Sequence, residues 1–211
     1  MVNLRRTRED VLVAVLDLVH QQGFHSTGLK ELLATSGVSS GSFYNYFASK
    51  KDLARALIDY KWGKLKALLF SETQPDTIAQ LFQMIDQLEA IHQAEDPCAG
   101  CFLGNLIVEL VDYDPSFRPQ LVQVFDEWQQ EIARLLWAGR AQLKPEFEPE
   151  WVAQQLLGAI EGALLLGRLY NDPDRLRNCL DGCRYLLRSV LRDETYRAGA
   201  GNNPIRLAQQ V

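Results

Sequence analysis

Cysteine, histidine and methionine are scarce in this sequence, with four, three and two copies in 211 residues. Four cysteines are too few to staple a chain of this size, which argues against a disulfide scaffold and makes a reducing cytoplasm the expected location. Long apolar runs are missing too. No window approaches the roughly 20 apolar residues that a membrane span needs, and the greasiest stretch, Leu156 to Leu166, is broken by Glu161. The opening Met1-Val2-Asn3-Leu4-Arg5-Arg6 runs into Thr7-Arg8-Glu9-Asp10 without the apolar core of a secretory signal. Neither a 20–50-residue repeat nor a low-complexity block is found. Positive charge is in deficit as well: 22 Lys+Arg against 27 Asp+Glu leave a net −5, at first sight the wrong sign for a nucleic-acid binder. What is present, 47% hydrophobic and 23% charged residues, is the composition of a globular chain able to bury a core.

Helical periodicity runs throughout. Val11, Leu12, Val15, Leu18 and Val19 form one stripe, with Thr7 and Asp10 spaced as a capping box and Gly23 as a stop signal. Leu121, Phe125, Trp128, Ile132 and Leu135 repeat at alternating steps of four and three. Val152, Leu156, Ile160, Ala163 and Gly167 step by four, four, three and four, and Leu176, Leu180, Cys183, Leu187 and Val190 alternate again. Strand-type alternation is nowhere sustained, and the fold class expected is all-α with about nine helices. Helices are short up to about residue 48 and lengthen afterwards. This predicts an N-terminal domain over 1–48, a C-terminal domain over 49–195 and a frayed tail over 196–211. Charge divides in a similar way. Residues 1–66 hold ten Lys+Arg and six Asp+Glu, a net of +4, and the remainder carries −9. The acidic total hides a basic head on an acidic body.

Within the head, Thr27 to Phe47 has a helix-turn-helix grain. Thr27 is placed to cap the first helix, Leu29, Leu32 and Leu33 face inward, Gly37 supplies the sharp turn and Val38 plugs the angle. Ser39 caps a second, short helix anchored by Phe43 and Phe47, and this helix presents Ser40, Ser42, Tyr44, Asn45 and Tyr46. Small hydroxyls, an amide and two phenols on one face suit a major-groove reader. An ordinary αα-hairpin with a polar face would show much the same pattern. The string Gly37-Val38-Ser39-Ser40-Gly41-Ser42-Phe43-Tyr44-Asn45-Tyr46-Phe47-Ala48-Ser49-Lys50-Lys51-Asp52-Leu53 closely resembles the signature of the TetR (tetracycline-repressor) family of bacterial transcriptional regulators.

That resemblance covers about residues 7–60 and implies a DNA-binding head on a helical body that dimerises and senses a ligand. Carried over by position, it implies that Thr27, Ser39, Gly41, Tyr46 and Lys50 engage phosphates, and that Ser40, Ser42, Tyr44 and Asn45 face bases or adjacent phosphates. Ser40 stands where the family often has Lys, and Asn45 where it often has His. Arg5, Arg6 and Arg8 form a basic arm, and Lys50 and Lys51 add charge. Lys61, Lys64 and Lys66 read better as a solvated helix face. The partners implied are a palindromic operator duplex, a small-molecule or electrophile effector and a second copy of the chain, with no membrane, cofactor or metal.

In the body, Leu156, Gly158, Gly162, Ala163, Leu165, Gly167, Leu176, Leu180, Leu187 and Val190 are candidates for a dimer interface, which the resemblance places on the last two helices. Intramolecular packing is the competing reading. Phe102, Asn105, Glu109 and Trp128 are candidates for an effector pocket, with Glu109 placed to balance a cationic ligand or cap a buried network. Cys101, in Cys98-Ala99-Gly100-Cys101, opens a helix, where the N-terminal dipole would depress its pKa. Gly100-Cys101-Phe102-Leu103-Gly104-Asn105-Leu106 resembles a segment of TetR-family repressors that respond to electrophiles such as N-ethylmaleimide and reactive aldehydes, in which the matching cysteine is the sensing thiol. Cys98 would serve as a resolving thiol, and beyond Lys66 only Lys144 offers an amine. With Cys179 and Cys183 the same cysteines also fit a four-thiolate zinc set. An enzyme or thiol-redox protein acting on small electrophiles in the body remains the alternative function, although no nucleophile–base motif, phosphate loop or metal signature is present.

Overall fold

The computed structural model describes residues 6–71, 75–95 and 97–192, so the predicted tail over 196–211 and Arg5 of the basic arm lie outside the described residues. Nine α-helices follow one another among them: α1 (Arg8–Gln22), α2 (Leu29–Ser36), α3 (Ser40–Tyr46), α4 (Lys50–Leu69), α5 (Thr77–Gln93), α6 (Phe102–Leu110), α7 (Arg118–Ala138), α8 (Pro149–Tyr170) and α9 (Pro173–Ser189). The all-α class holds, and none of these helices is long and apolar enough to cross a membrane.

Local chemistry sets most of the helix ends. The Thr7 hydroxyl accepts the Asp10 N–H at 3.1 Å while the Asp10 carboxylate accepts the Thr7 N–H at 2.7 Å, a reciprocal cap on α1. Ser39 and Ser49 cap α3 and α4 in the same sense, and Asp76 and Asp172 cap α5 and α9. Pro149 and Pro173 occupy first positions, where their missing N–H costs nothing. Thr27 does not cap α2. Its hydroxyl turns inward to Gly23 O at 2.7 Å, and the cap residue is Gly28, whose N–H donates to the Glu31 carboxylate at 3.0 Å.

α1, α2 and α3 pack with the first turns of α4 around Val11, Val15, Leu32, Phe43, Phe47 and Leu53. α4 runs on into the body, where Trp62 lies against Trp128 with ring centroids 5.7 Å apart. α8 and α9 form an antiparallel pair against α5 and α7. Here the interface expectation needs correction. Leu156, Ala163, Gly167, Leu176, Leu180, Leu187 and Val190 are buried within the protomer, where their apolar area builds its own core. Gly167 is required by that packing, because a Cβ there would stand 2.9 Å from Leu176. Gly158, Gly162 and Leu165 do face outward, alongside Leu166, Leu169 and Tyr185.

Candidate nucleic-acid interface and thiol cavity

α3 owes its position to Phe43 and Phe47, both buried and in contact at 5.4 Å between ring centroids. Gly37, at φ 66°, gives the left-handed turn that swings α3 across α2. With its aromatic side fixed inward, α3 leaves Ser40, Gly41, Tyr44 and Asn45 exposed, and Ser42 half-buried. Ser39 accepts the Ser42 N–H and donates to the Ser42 hydroxyl, both at 3.1 Å. Tyr46 donates its hydroxyl to the Arg6 carbonyl and so ties the basic arm to the helix. Arg8 lies over the Phe47 ring at 5.0 Å.

Two residues carried over as phosphate contacts are engaged elsewhere. Thr27 is fully buried, its hydroxyl committed to Gly23. Lys50 donates to Phe24 O at 2.7 Å and sits 4.5 Å above the Phe24 ring. Partial burial lowers its pKa, opposed by the nearby Glu109 carboxylate. Lys51 pairs with Asp114 at 2.6 Å and holds that carboxyl down at about 2. Lys66 pairs with Glu131 at 3.0 Å and Lys61 is half-buried at the edge of a cavity, so these two are not the freely solvated face expected, whereas Lys64 is exposed as expected, 3.3 Å from Glu9.

That cavity, about 20 Å³, is lined by His20, Lys61, His92, Cys101, Phe102 and Trp128 with aliphatic side chains from α4, α5, α6 and α8. Cys101 caps α6, its sulfur accepting the Gly104 N–H at 3.3 Å. The helix-terminus effect is present but loses. Cys101 is only 7% exposed, and burial together with the Glu161 carboxylate pushes the thiol well above the ordinary cysteine range, opposite to the depressed value expected. Glu161 projects from α8 beside the thiol, its Oε2 and the Cys101 sulfur both bordering the place a Cβ on Gly104 would take. Burial lifts its own carboxyl to about 7, and its Oε1 is buried without a hydrogen-bond partner. Asn105 does not reach the cavity wall; its side-chain amide donates to Ala99 O at 2.8 Å and braces the turn before Cys101. Cys98 is buried on the same turn, and its N–H donates to Asn171 at 2.8 Å. Cys179 and Cys183 lie on α9, and the described residues contain no group of three or more His, Cys, Asp or Glu arranged to hold a metal.

Glu109 sits at the opposite end of α6 from Cys101. It does not line the cavity and so is not placed as counter-charge to a ligand there. Its carboxylate instead accepts the His25 N–H at 3.2 Å and lies against Gly23, where a Cβ would meet Oε1 at 2.9 Å. Gly23 at φ 88° and Gly100 at φ 71° are both glycines whose backbone a side chain would strain. The ring of His25 packs edge-on against Tyr113 at 4.5 Å, just beyond α6. One nine-residue helix therefore carries the thiol at its start and a clasp on the head at its end. Sequence reasoning misses Glu161, Lys61 and His92 as participants. Glu161 shows there only as the charge that interrupts an apolar run, and the long separation between Cys101 and Glu161 conceals their contact.

Residues 11–57 match the model of "Bacterial regulatory proteins, tetR family", and residues 77–182 match that of the "Tetracyclin repressor-like, C-terminal domain". An uncharacterized HTH-type transcriptional regulator from the lacX 3' region of Lactococcus lactis is 33% identical over 85% of this chain and 92% of its own. The transcriptional regulator AcuR of Cereibacter sphaeroides is 31% identical over 81% of this chain and 80% of its own. The HTH-type transcriptional repressor NemR of Escherichia coli is 29% identical over 82% of this chain and 90% of its own. The crystal structure of its reduced form superposes with a TM-score of 0.75 at 25% identity, covering 87% of this chain and 96% of that one. With a helix-turn-helix head, a helical body and both family models matched in chain order, this chain belongs to the TetR family of DNA-binding transcriptional regulators.

Proposed function

We propose that this regulator is a homodimeric repressor that leaves a palindromic operator when a small electrophile engages the cavity at Cys101. The observation that carries the reading is α6 itself. Nine residues, about 13 Å of helix, join the Cys101 cavity to the Glu109 clasp on the head. A compound larger than one or two waters must enlarge a cavity of about 20 Å³. Displacing the start of a rigid helix moves its end, and the end holds the segment Gly23–His25 that leads into α2. Two recognition helices must stand about one DNA turn apart, so a small tilt of each head disfavours the bound state.

On DNA, Ser40, Gly41, Ser42, Tyr44 and Asn45 form the reading face, with Asn45 able to pair bidentately with adenine. Ser39, Arg6 and Arg8 supply phosphate contacts in place of Thr27 and Lys50, with Tyr46 holding the arm through the Arg6 carbonyl. The outward faces of α8 and α9, with Leu165, Leu169 and Tyr185, supply the dimer contact. The thiol reaction is stoichiometric, without turnover of the electrophile. NemR, similar over most of its length, is named a repressor, and that name supports the direction of control. The test uses an operator selected from a random duplex pool and followed by fluorescence anisotropy. N-ethylmaleimide is expected to release wild-type protein and to leave Cys101→Ser bound; equal release of both overturns the proposal.

A further inference from the structure

Cys101 does not meet the usual conditions for a reactive thiol. Burial raises it, and no cation is paired with the sulfur. The charged and titratable groups packed around it are His20 on α1, Lys61 on α4, His92 at the end of α5, Glu95 just beyond it, Cys98 on the preceding turn, and Glu161 and Arg168 on α8. Arg168 lies against Gly100 and acts on Cys98, while Glu95 faces His20 at 3.8 Å. The charged group that acts on the thiol is a carboxylate. A resting thiolate would therefore be doubly disfavoured, by low dielectric and by like charge.

A thiol can still react from such a place if its proton leaves as the carbon–sulfur bond forms. The geometry points to Glu161 as the acceptor of the Cys101 thiol proton during addition to a conjugated carbonyl compound held in the cavity, making the sensor a Cys101–Glu161 pair. This rests on the reading of Cys101 as the reactive thiol. Three observations support it. The Glu161 carboxylate stands beside the thiol, its Oε2 and the Cys101 sulfur both bordering the place a Cβ on Gly104 would take, and its other oxygen is buried without a partner, so protonation there breaks no hydrogen bond. Gly104 leaves the carboxylate its place, since a Cβ there would collide with Glu161 Oε2. The cavity that Cys101 lines is also furnished for an acceptor oxygen. Trp128 is 0% exposed with its indole N–H unpartnered, and Lys61 brings an ammonium. His92, 6% exposed, sets Nδ1 2.8 Å from Leu88 O and lines the same cavity.

The step balances without an oxidant. The Cys101 sulfur bonds to the β-carbon and its proton passes to the Glu161 carboxylate. The carbon–carbon π pair moves toward the carbonyl oxygen, where the Trp128 N–H and the Lys61 ammonium stabilise the enolate. The α-carbon then takes a proton from water, and the Glu161 carboxyl returns its own to solvent. The product is a thioether, with no group expelled.

The carboxylate's two possible effects have opposite signs, and that makes the pairing testable. As a nearby charge alone, Glu161 suppresses the thiolate, so Glu161→Gln would speed alkylation. As proton acceptor, its removal slows it. The full-length protein is labelled with N-ethylmaleimide between about pH 5.5 and 9, and the Cys101 adduct is followed by peptide-resolved mass spectrometry. The wild-type rate is expected to rise through a midpoint near 7, where the Glu161 carboxyl titrates, and then to flatten. Glu161→Gln is expected to be slower by about tenfold or more at neutral pH, without that midpoint, and Glu161→Asp intermediate. An equal or faster rate in Glu161→Gln, or a wild-type rate climbing steadily to the top of the range, overturns the pairing. The wild-type profile decides alone if the variants fail to fold. Operator release, measured separately on labelled protein, tests the regulatory reading without reference to Glu161.

Discussion

At the scale of single residues, Glu161 is a carboxyl held where ionisation is costly, and that cost has a pH signature. Its pKa rises from 4.5 to about 7 on folding. Below 4.5 it is protonated in both states and costs nothing; as pH climbs through 7 the folded state loses roughly 3 kcal/mol relative to an ordinary carboxylate. Glu161→Gln is therefore expected to raise the thermal midpoint at pH 8 and to leave it nearly unchanged at pH 4, which a pair of calorimetric scans would check. His20 works in the other direction. Burial lowers its pKa despite Glu95, so stability falls as pH drops below the ordinary imidazole value of 6.5. On α3, Asn45→Ala is expected to weaken the preferred operator by about 1–3 kcal/mol and nonspecific duplex hardly at all, in parallel titrations. The exposure of Ser40, Tyr44 and Asn45 is legible from sequence, because Phe43 and Phe47 leave a helix only one way to turn. The place of Thr27 is not, because cap preference ranks threonine and glycine about alike and the choice falls to Gly23 O and Glu31.

At the scale of elements, α6 is short, apolar and fixed at both ends by contacts from far along the chain. Helical period finds it, and the cysteine marks its start, but nothing local tells that Glu109 faces the head or that Glu161 faces Cys101. Side chains with no sequence neighbour in common meet only after α1, α6 and α8 have packed, so the clasp and the pair are tertiary facts. Two glycines expose them to test. Gly104→Ala places a methyl group against the Glu161 carboxylate, and Gly23→Ala places one 2.9 Å from Glu109 at a positive φ. Gly23→Ala is expected to weaken operator binding and leave the Cys101 labelling rate unchanged, with the reverse pattern for Gly104→Ala. Both are read by the anisotropy and mass-spectrometric assays above.

At the scale of the whole molecule, the net charge of −5 averages a head of +4 and a body of −9. Such a division lets phosphate attract the heads while the bodies are repelled, so affinity falls steeply with salt. The outer faces of α8 and α9 leave Leu165 62% and Leu169 70% exposed. Leu165→Glu with Leu169→Glu is expected to give a folded monomer in sedimentation equilibrium, whereas Leu180→Ala, a truncation inside the protomer, is expected to destabilise folding by about 2–5 kcal/mol. The central claim is that modification at one end of α6 reaches DNA through the clasp at the other. The most direct test compares operator Kd before and after complete Cys101 alkylation in wild type and in Glu109→Ala. Wild type is predicted to weaken by about 5–150-fold, and Glu109→Ala to show little further loss on alkylation. An undiminished loss in Glu109→Ala would contradict the account.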